Sequence, residues 1–229
     1  MNIKVVSVYV LHLFDTLGFG GKMAIENLIY DYAKSKRIIV PSMGTLEDTL
    51  APWLKHKLQS VRMERVYFDS KSEWLDLGAH LRAMRCIDRG ASTDFVLSFR
   101  SKEGDLPQKV SYPVQQDAVV ETAEQWFGIK EIEPRFRVTY TFARYQLAEN
   151  VTLSTLQDLN YFALIGDQEL PMGTEQSVRV ELNYNTNEKG EPLIPKTILD
   201  AIDSLPTLPQ NNIRLMGFCM LKKLLDPLV

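Results

Sequence analysis

Between residues 62 and 184 polar and apolar positions alternate with a period of two, the mark of strands that bury one face. The alternation predicts strands at 62–69, 79–87, 93–101, 108–114, 134–146, 150–156 and 177–184. Turn chemistry interrupts them at Asp88–Gly90, Glu103–Asp105 and Gly166–Gly173. A shorter strand, Lys36–Val40, runs into Pro41. Thr45 with Asp48 three residues on approximates a capping box, and Leu46, Leu50, Leu54 and Leu58 then share a helical face. Pro52 should kink that helix or mark its true first turn. Further helices are predicted at Asp117–Phe127, ended by Gly128, at Pro195–Leu205 and at Asn211–Leu225. Many strands with few helices imply an α+β fold around an antiparallel sheet.

The N-terminal run 3–14 is apolar but carries Lys4 and His12, and it is shorter than the roughly 20 residues that span a bilayer. It lacks a small-residue cleavage site before Asp15, so it reads as a strand or buried segment. Residues 15–22 form a glycine-rich turn before a helical stretch, 23–34. Lys22 follows two glycines, yet Met23 stands where a P-loop needs Ser or Thr, which leaves the turn reading.

With 229 residues, 45% hydrophobic and 24% charged, the chain can bury one sizeable core. A net charge of −3 argues against a general duplex nucleic-acid binder but allows a local basic pocket. Cys86 and Cys219 show no metal-site spacing, and a reducing, cytoplasmic setting is the expectation. His12, His56 and His80 match no ligand or triad spacing.

Arginine is the chemistry these strands carry. Arg135, Arg137, Thr139 and Thr141 alternate with Phe136, Val138, Tyr140 and Phe142. Arg179 and Glu181 alternate with Val178, Val180 and Leu182, and Arg100 with Leu97 and Phe99. Such strands fit an antiparallel sheet with a solvated polar face. They also fit a barrel whose polar faces line a lumen, where clustered arginines need an anion; guanidinium matches phosphate oxygens bidentately. Periodicity alone does not choose.

Residues 67–85, with Tyr67-Phe68-Asp69 and a later Leu81-Arg82…Arg85, resemble the "YFDT…L…G…LRxR" segment of the CYTH and VTC domains, the triphosphate tunnel family. Residues 36–41, 97–102, 133–145, 151–158 and 178–185 follow in the family's order, so the likeness covers about 36–205. The resemblance implies an antiparallel β tunnel with covering helices, whose basic residues hold a triphosphate or polyphosphate and whose acidic residues hold Mg or Mn. Carried over, the anion site would comprise Arg37, Arg82, Arg100, Arg135, Arg137 and Arg179, with Glu181 on the metal. Residues 1–35 would be an N-terminal extension and 206–229 a helix packed on the tunnel domain.

The sequence departs from the family where its acidic residues belong. Ser35 and Arg37 replace Glu and Lys of the first strand, Thr152 and Leu156 replace Arg and Asp, and Asn183 replaces Lys. An oxygen-ligand metal site needs several carboxylates or carbonyls. Glu181 remains, with Asp69 and Asp158 as weaker candidates. Three readings follow. The first is a phosphoanion-binding tunnel with weak or lost catalysis. The second is an active metal-dependent triphosphatase or polyphosphate-processing enzyme. The third is an assembly component that meets a protein partner through its termini.

Overall fold

The computed structural model describes residues 34–70, 80–89, 95–101, 108–115, 118–127 and 130–225. The expected segment at 3–14, and that at 23–34 up to residue 33, lie outside them. Nine strands form one antiparallel sheet: β1 (Lys34–Val40), β2 (His56–Ser70), β3 (His80–Cys86), β4 (Phe95–Ser101), β5 (Gln108–Val114), β6 (Ile132–Ala148), β7 (Val151–Ile165), β8 (Gln168–Glu175) and β9 (Val178–Tyr184). Among the described residues four α-helices accompany them: α1 (Met43–Leu50), α2 (Val119–Phe127), α3 (Lys196–Ser204) and α4 (Ile213–Leu225). The sheet order is β1-β9-β7-β6-β2-β3-β4-β5, with β8 added to β7. The chain is α+β, an antiparallel tunnel-type sheet with covering helices. Among the described residues no ladder joins β1 to β5, so hydrogen bonds do not close it into a barrel.

Long central strands carry the fold. β2 and β6 pair from His56↔Gln146 to Ser70↔Ile132, with irregularities at 57/59 and at 67/68. The second puts Arg135 in a bulge, because Tyr67 faces Phe136 while Phe68 faces Pro134. β7 bulges opposite 139/141, where Asp158 takes a positive φ of 54°. That extra residue reverses which β7 side chains point to each face.

One face of the sheet is covered by three helices. Val178, Val180, Leu182, Leu153, Ala143 and Tyr145 pack with Leu46 and Leu50 of α1 and Ile198 and Ile202 of α3. Phe68, Leu81 and Ala83 pack with Val119 and Ala123 of α2. The other face receives α4: Tyr67, Phe136, Val138, Tyr140 and Tyr161 pack with Ile213, Met216 and Phe218.

Several local expectations change. Ser42, not Thr45, caps α1, its Oγ accepting from the Thr45 amide at 3.1 Å. The helix ends at Leu50 and turns follow through residue 55, so Pro52 stands beyond the helix. β7 continues to Ile165, well past 156, and the stretch 166–173 contributes to strand β8 rather than only a turn. Cys86 and Cys219 are free thiols. Among the described residues no helix is long and apolar enough to cross a membrane.

Candidate functional site

Directly paired residues on neighbouring strands share a face, so the ladder registers sort the arginines. On the α4 side, Arg37 stands opposite Glu181, and Ile39 opposite Arg179. Glu181 neighbours Ser154 on β7, which neighbours Arg144 on β6. Two steps further across, Arg65 of β2 pairs with Val138, and Tyr67 pairs with both Phe136 and Arg82. One face therefore carries Arg37, Arg65, Arg82, Arg144 and Arg179. Arg100 pairs with His80 and Lys109. Its side chain lies outside the described residues.

Arg137 does not join this group, contrary to the face that alternation suggested. Arg137 pairs with Val66, on the side covered by α2, and meets buried Glu64 at 3.2 Å and Glu169 at 2.5 Å. Its guanidinium also sits 4.7 Å from the Phe162 ring centroid. Arg85 reaches the same Glu64 carboxylate at 3.2 Å. Arg135, in its bulge, pairs with Glu133 at 2.5 Å. The residue count from Arg137 to Arg179 spans the β7 bulge and several turns, and strand alternation carries no face information across such breaks.

The α4 face has two chemically different ends. Near β9 the charges are matched: Arg37 reaches Glu181 at 2.9 Å, and Arg179 reaches Glu175 at 2.9 Å. Arg179 also donates to the Asn211 carbonyl at 2.6 Å and to the Asn211 side chain, which ties β9 to the loop before α4. Tyr161 donates to Glu175 at 2.9 Å; burial first, and then that carboxylate, hold its phenol well above the ordinary range. Near β2 and β3 the charges are unmatched. Arg65 lies 4.6 Å over the Tyr140 ring and hydrogen-bonds Tyr67 and Tyr140. Arg82 hydrogen-bonds Tyr67, and burial together with the adjacent Arg65 cation lowers its pKa. Among the described residues neither arginine has a carboxylate partner. Sequence reasoning passed over Arg65 because it stands outside the family segment that begins at Tyr67. Its place among the apolar Val61, Met63 and Tyr67 was the available signal.

A divalent metal does not fit this arrangement. Glu181 stands among cations and is already paired with Arg37. Asp69 is fully buried, and Asp158 sits exposed at the β7 bulge, accepting from Thr141 at 3.2 Å. Among the described residues no three His, Cys, Asp or Glu side chains converge on one point.

No protein-family model and no curated protein sequence matches the chain. Solved structures do. HpAC1 from Hippeastrum, assigned as an adenylyl cyclase and described by a dominant triphosphatase activity, superposes with a TM-score of 0.52 at 15% identity, over 81% of this chain and 94% of its own. The PH1819 protein of Pyrococcus horikoshii OT3 gives 0.48 at 11% identity, over 82% and 99%. A chain of the Schizosaccharomyces pombe Mediator head module gives 0.42 at 15%, over 84% and 93%. The likeness to HpAC1 shows that the chain shares the fold of that protein.

Proposed function

We propose that the chain is a phosphoanion-binding domain, taking a triphosphate or polyphosphate group on the α4 face with weak or lost catalysis. The observation that carries this reading is charge imbalance on one face. Arg37, Arg65, Arg82, Arg144 and Arg179 are set there against Glu181, Glu175, Asp69 and Glu133, and Arg65 and Arg82 have none of these as a salt-bridge partner. Cations gathered on one face of an otherwise acidic chain favour an anionic guest, and guanidinium suits phosphate oxygens better than any other common anion acceptor. Arg82, Arg179 and Arg37 stand on three strands of this face. The shared fold with a protein described as a triphosphatase agrees with this class of guest.

Catalysis is the weaker half of the family's chemistry here. Phosphoryl transfer needs charge neutralisation plus a group that positions or activates the nucleophile. The face supplies neutralisation, but Glu181 is engaged by Arg37, and Glu175 by Arg179 and Tyr161. Titration calorimetry of the full chain with tripolyphosphate tests binding, and phosphate release from ATP or tripolyphosphate with Mg²⁺ or Mn²⁺ tests turnover. Expected are measurable binding and turnover far below about 1 s⁻¹, the low end of ordinary enzymes. Absence of both heat and thermal stabilisation at millimolar tripolyphosphate overturns the reading.

A further inference from the structure

We infer that the anion is held without a metal ion, between the guanidinium groups of Arg65 and Arg82, with the hydroxyls of Tyr67 and Tyr140 as further hydrogen-bond donors. This rests on the phosphoanion reading and narrows it to one end of the face. Four side chains from three adjacent strands converge there, joined through Tyr67, which hydrogen-bonds both arginines. Both arginines keep only part of their surface exposed, and their Nε atoms are buried without a hydrogen-bond partner. Orphaned Nε atoms also occur at Arg85, Arg135, Arg137 and Arg179, so that feature alone does not single out the pair. The missing countercharge does: Arg85 and Arg137 have Glu64, Arg135 has Glu133, and Arg179 has Glu175.

The Tyr140 phenol does not supply the missing negative charge. Burial raises the Tyr140 pKa despite the pull of Arg65 and Arg82 in the other direction. The phenol stays neutral at physiological pH; its oxygen accepts from Arg65 while its O–H remains free to donate onward. Two guanidinium groups and two hydroxyls then present only donors toward a guest. Such a set suits a phosphoryl dianion, whose oxygens only accept, and gives a divalent cation no anionic ligand. In Mg²⁺-loaded tripolyphosphate the cation already occupies oxygens that the guanidinium groups would bind. Metal-free phosphate should therefore be the preferred form. The contacts involve phosphate alone, so tripolyphosphate and ATP should bind with similar affinity and orthophosphate more weakly.

The experiment is calorimetry of the full chain with tripolyphosphate, once in EDTA and once in excess Mg²⁺. The affinity in EDTA should equal or exceed that in Mg²⁺. Arg65→Lys keeps the charge but loses the planar fork, and should weaken binding roughly tenfold or more. Tyr140→Phe removes one hydroxyl and little volume, so it keeps the test valid should the arginine variant misfold. It should weaken binding several-fold without lowering the melting temperature of the free protein by more than a few degrees. Arg62→Ala, on the opposite face beside Asp88, is the control and should bind as wild type. Binding that requires Mg²⁺, or that survives unchanged in Arg65→Lys and Tyr140→Phe, overturns this site while leaving the broader anion reading standing. Wild-type protein that binds tripolyphosphate in neither buffer removes both.

Discussion

Gly217 of α4 lies directly against the ring of Phe136 on β6: a Cβ at position 217 would stand 2.2 Å from Phe136 Cε2 and 2.4 Å from Cζ. The phenyl ring is wholly buried, stacked on Tyr67 at 4.7 Å and edge-on to Phe218 at 5.1 Å. It has no room to retreat. The helix can lie on this face only because residue 217 lacks a side chain.

Gly217→Ala should therefore loosen α4. Overpacking costs about 1–3 kcal/mol, and the better helix propensity of alanine returns about 1 kcal/mol at most. A melting temperature lowered by a few degrees is expected from the remainder, with faster amide exchange confined to α4 and its contacts on β6. Unchanged melting and exchange would show that the helix does not rest on Phe136.

On the opposite face Glu64 is the shared countercharge for Arg85 and Arg137, and its side chain is only 5% exposed. Glu64→Gln leaves two cations facing each other across a neutral amide. Removing one partner of a fully buried pair costs about 3–5 kcal/mol; because both arginines keep some exposure, about 1–3 kcal/mol is expected here. Arg137→Ala should also lower the melting temperature, since it removes the Glu64 and Glu169 contacts and the stack on Phe162. Its affinity for tripolyphosphate should match wild type. A large loss of affinity in that variant would place the anion on the α2 side of the sheet.

Alkaline titration should expose the buried phenols. Tyr140 and Tyr161 both have raised pKa values, burial being the main cause in each. A tyrosine in the unfolded chain ionises near pH 10. A group whose folded pKa lies above its unfolded one contributes stability that is complete below the unfolded value and is lost as pH rises past it. Stability should accordingly decline from about pH 10 upward. Phenolate absorbance should show some of the nine tyrosines ionising only as the protein unfolds. Tyr161→Phe should flatten part of that decline. A titration in which every tyrosine ionises near pH 10 before unfolding would contradict the packing of both rings.

Strand existence was legible because period-two alternation needs only local order: one face is buried and the chain shows it. Residues 108–114 were expected as a strand and are one, and α2 and α4 begin within two residues of their expected starts. Burial of Tyr67 and Phe68 was equally readable from their apolar setting. Where tight caps and bulges intervene, local order misleads, since Ser42 rather than Thr45 satisfies the first amides of α1 and β8 hides inside apparent turn residues.

Which face each arginine takes was a different kind of question. Alternation assigned Arg135, Arg137 and Arg179 to polar faces within their own strands, but it held no information about which polar faces coincide. The ladders decide that. Running from Arg179 through Leu156 and Phe142 and along β6 to Val138, they bring Arg179 and Arg37 onto the face of Arg65 and Arg82 and leave Arg137 on the other. Charge compensation is likewise a tertiary property. Glu64 is 73 residues from Arg137 and Glu181 is 144 from Arg37, so only the folded sheet determines which cations are neutralised. Sequence alone established a β-rich α+β chain with many arginines on its strands. The pairing of distant strands decided which of those arginines remain without a countercharge, because strand alternation is local whereas electrostatic neighbours are set by register across the sheet.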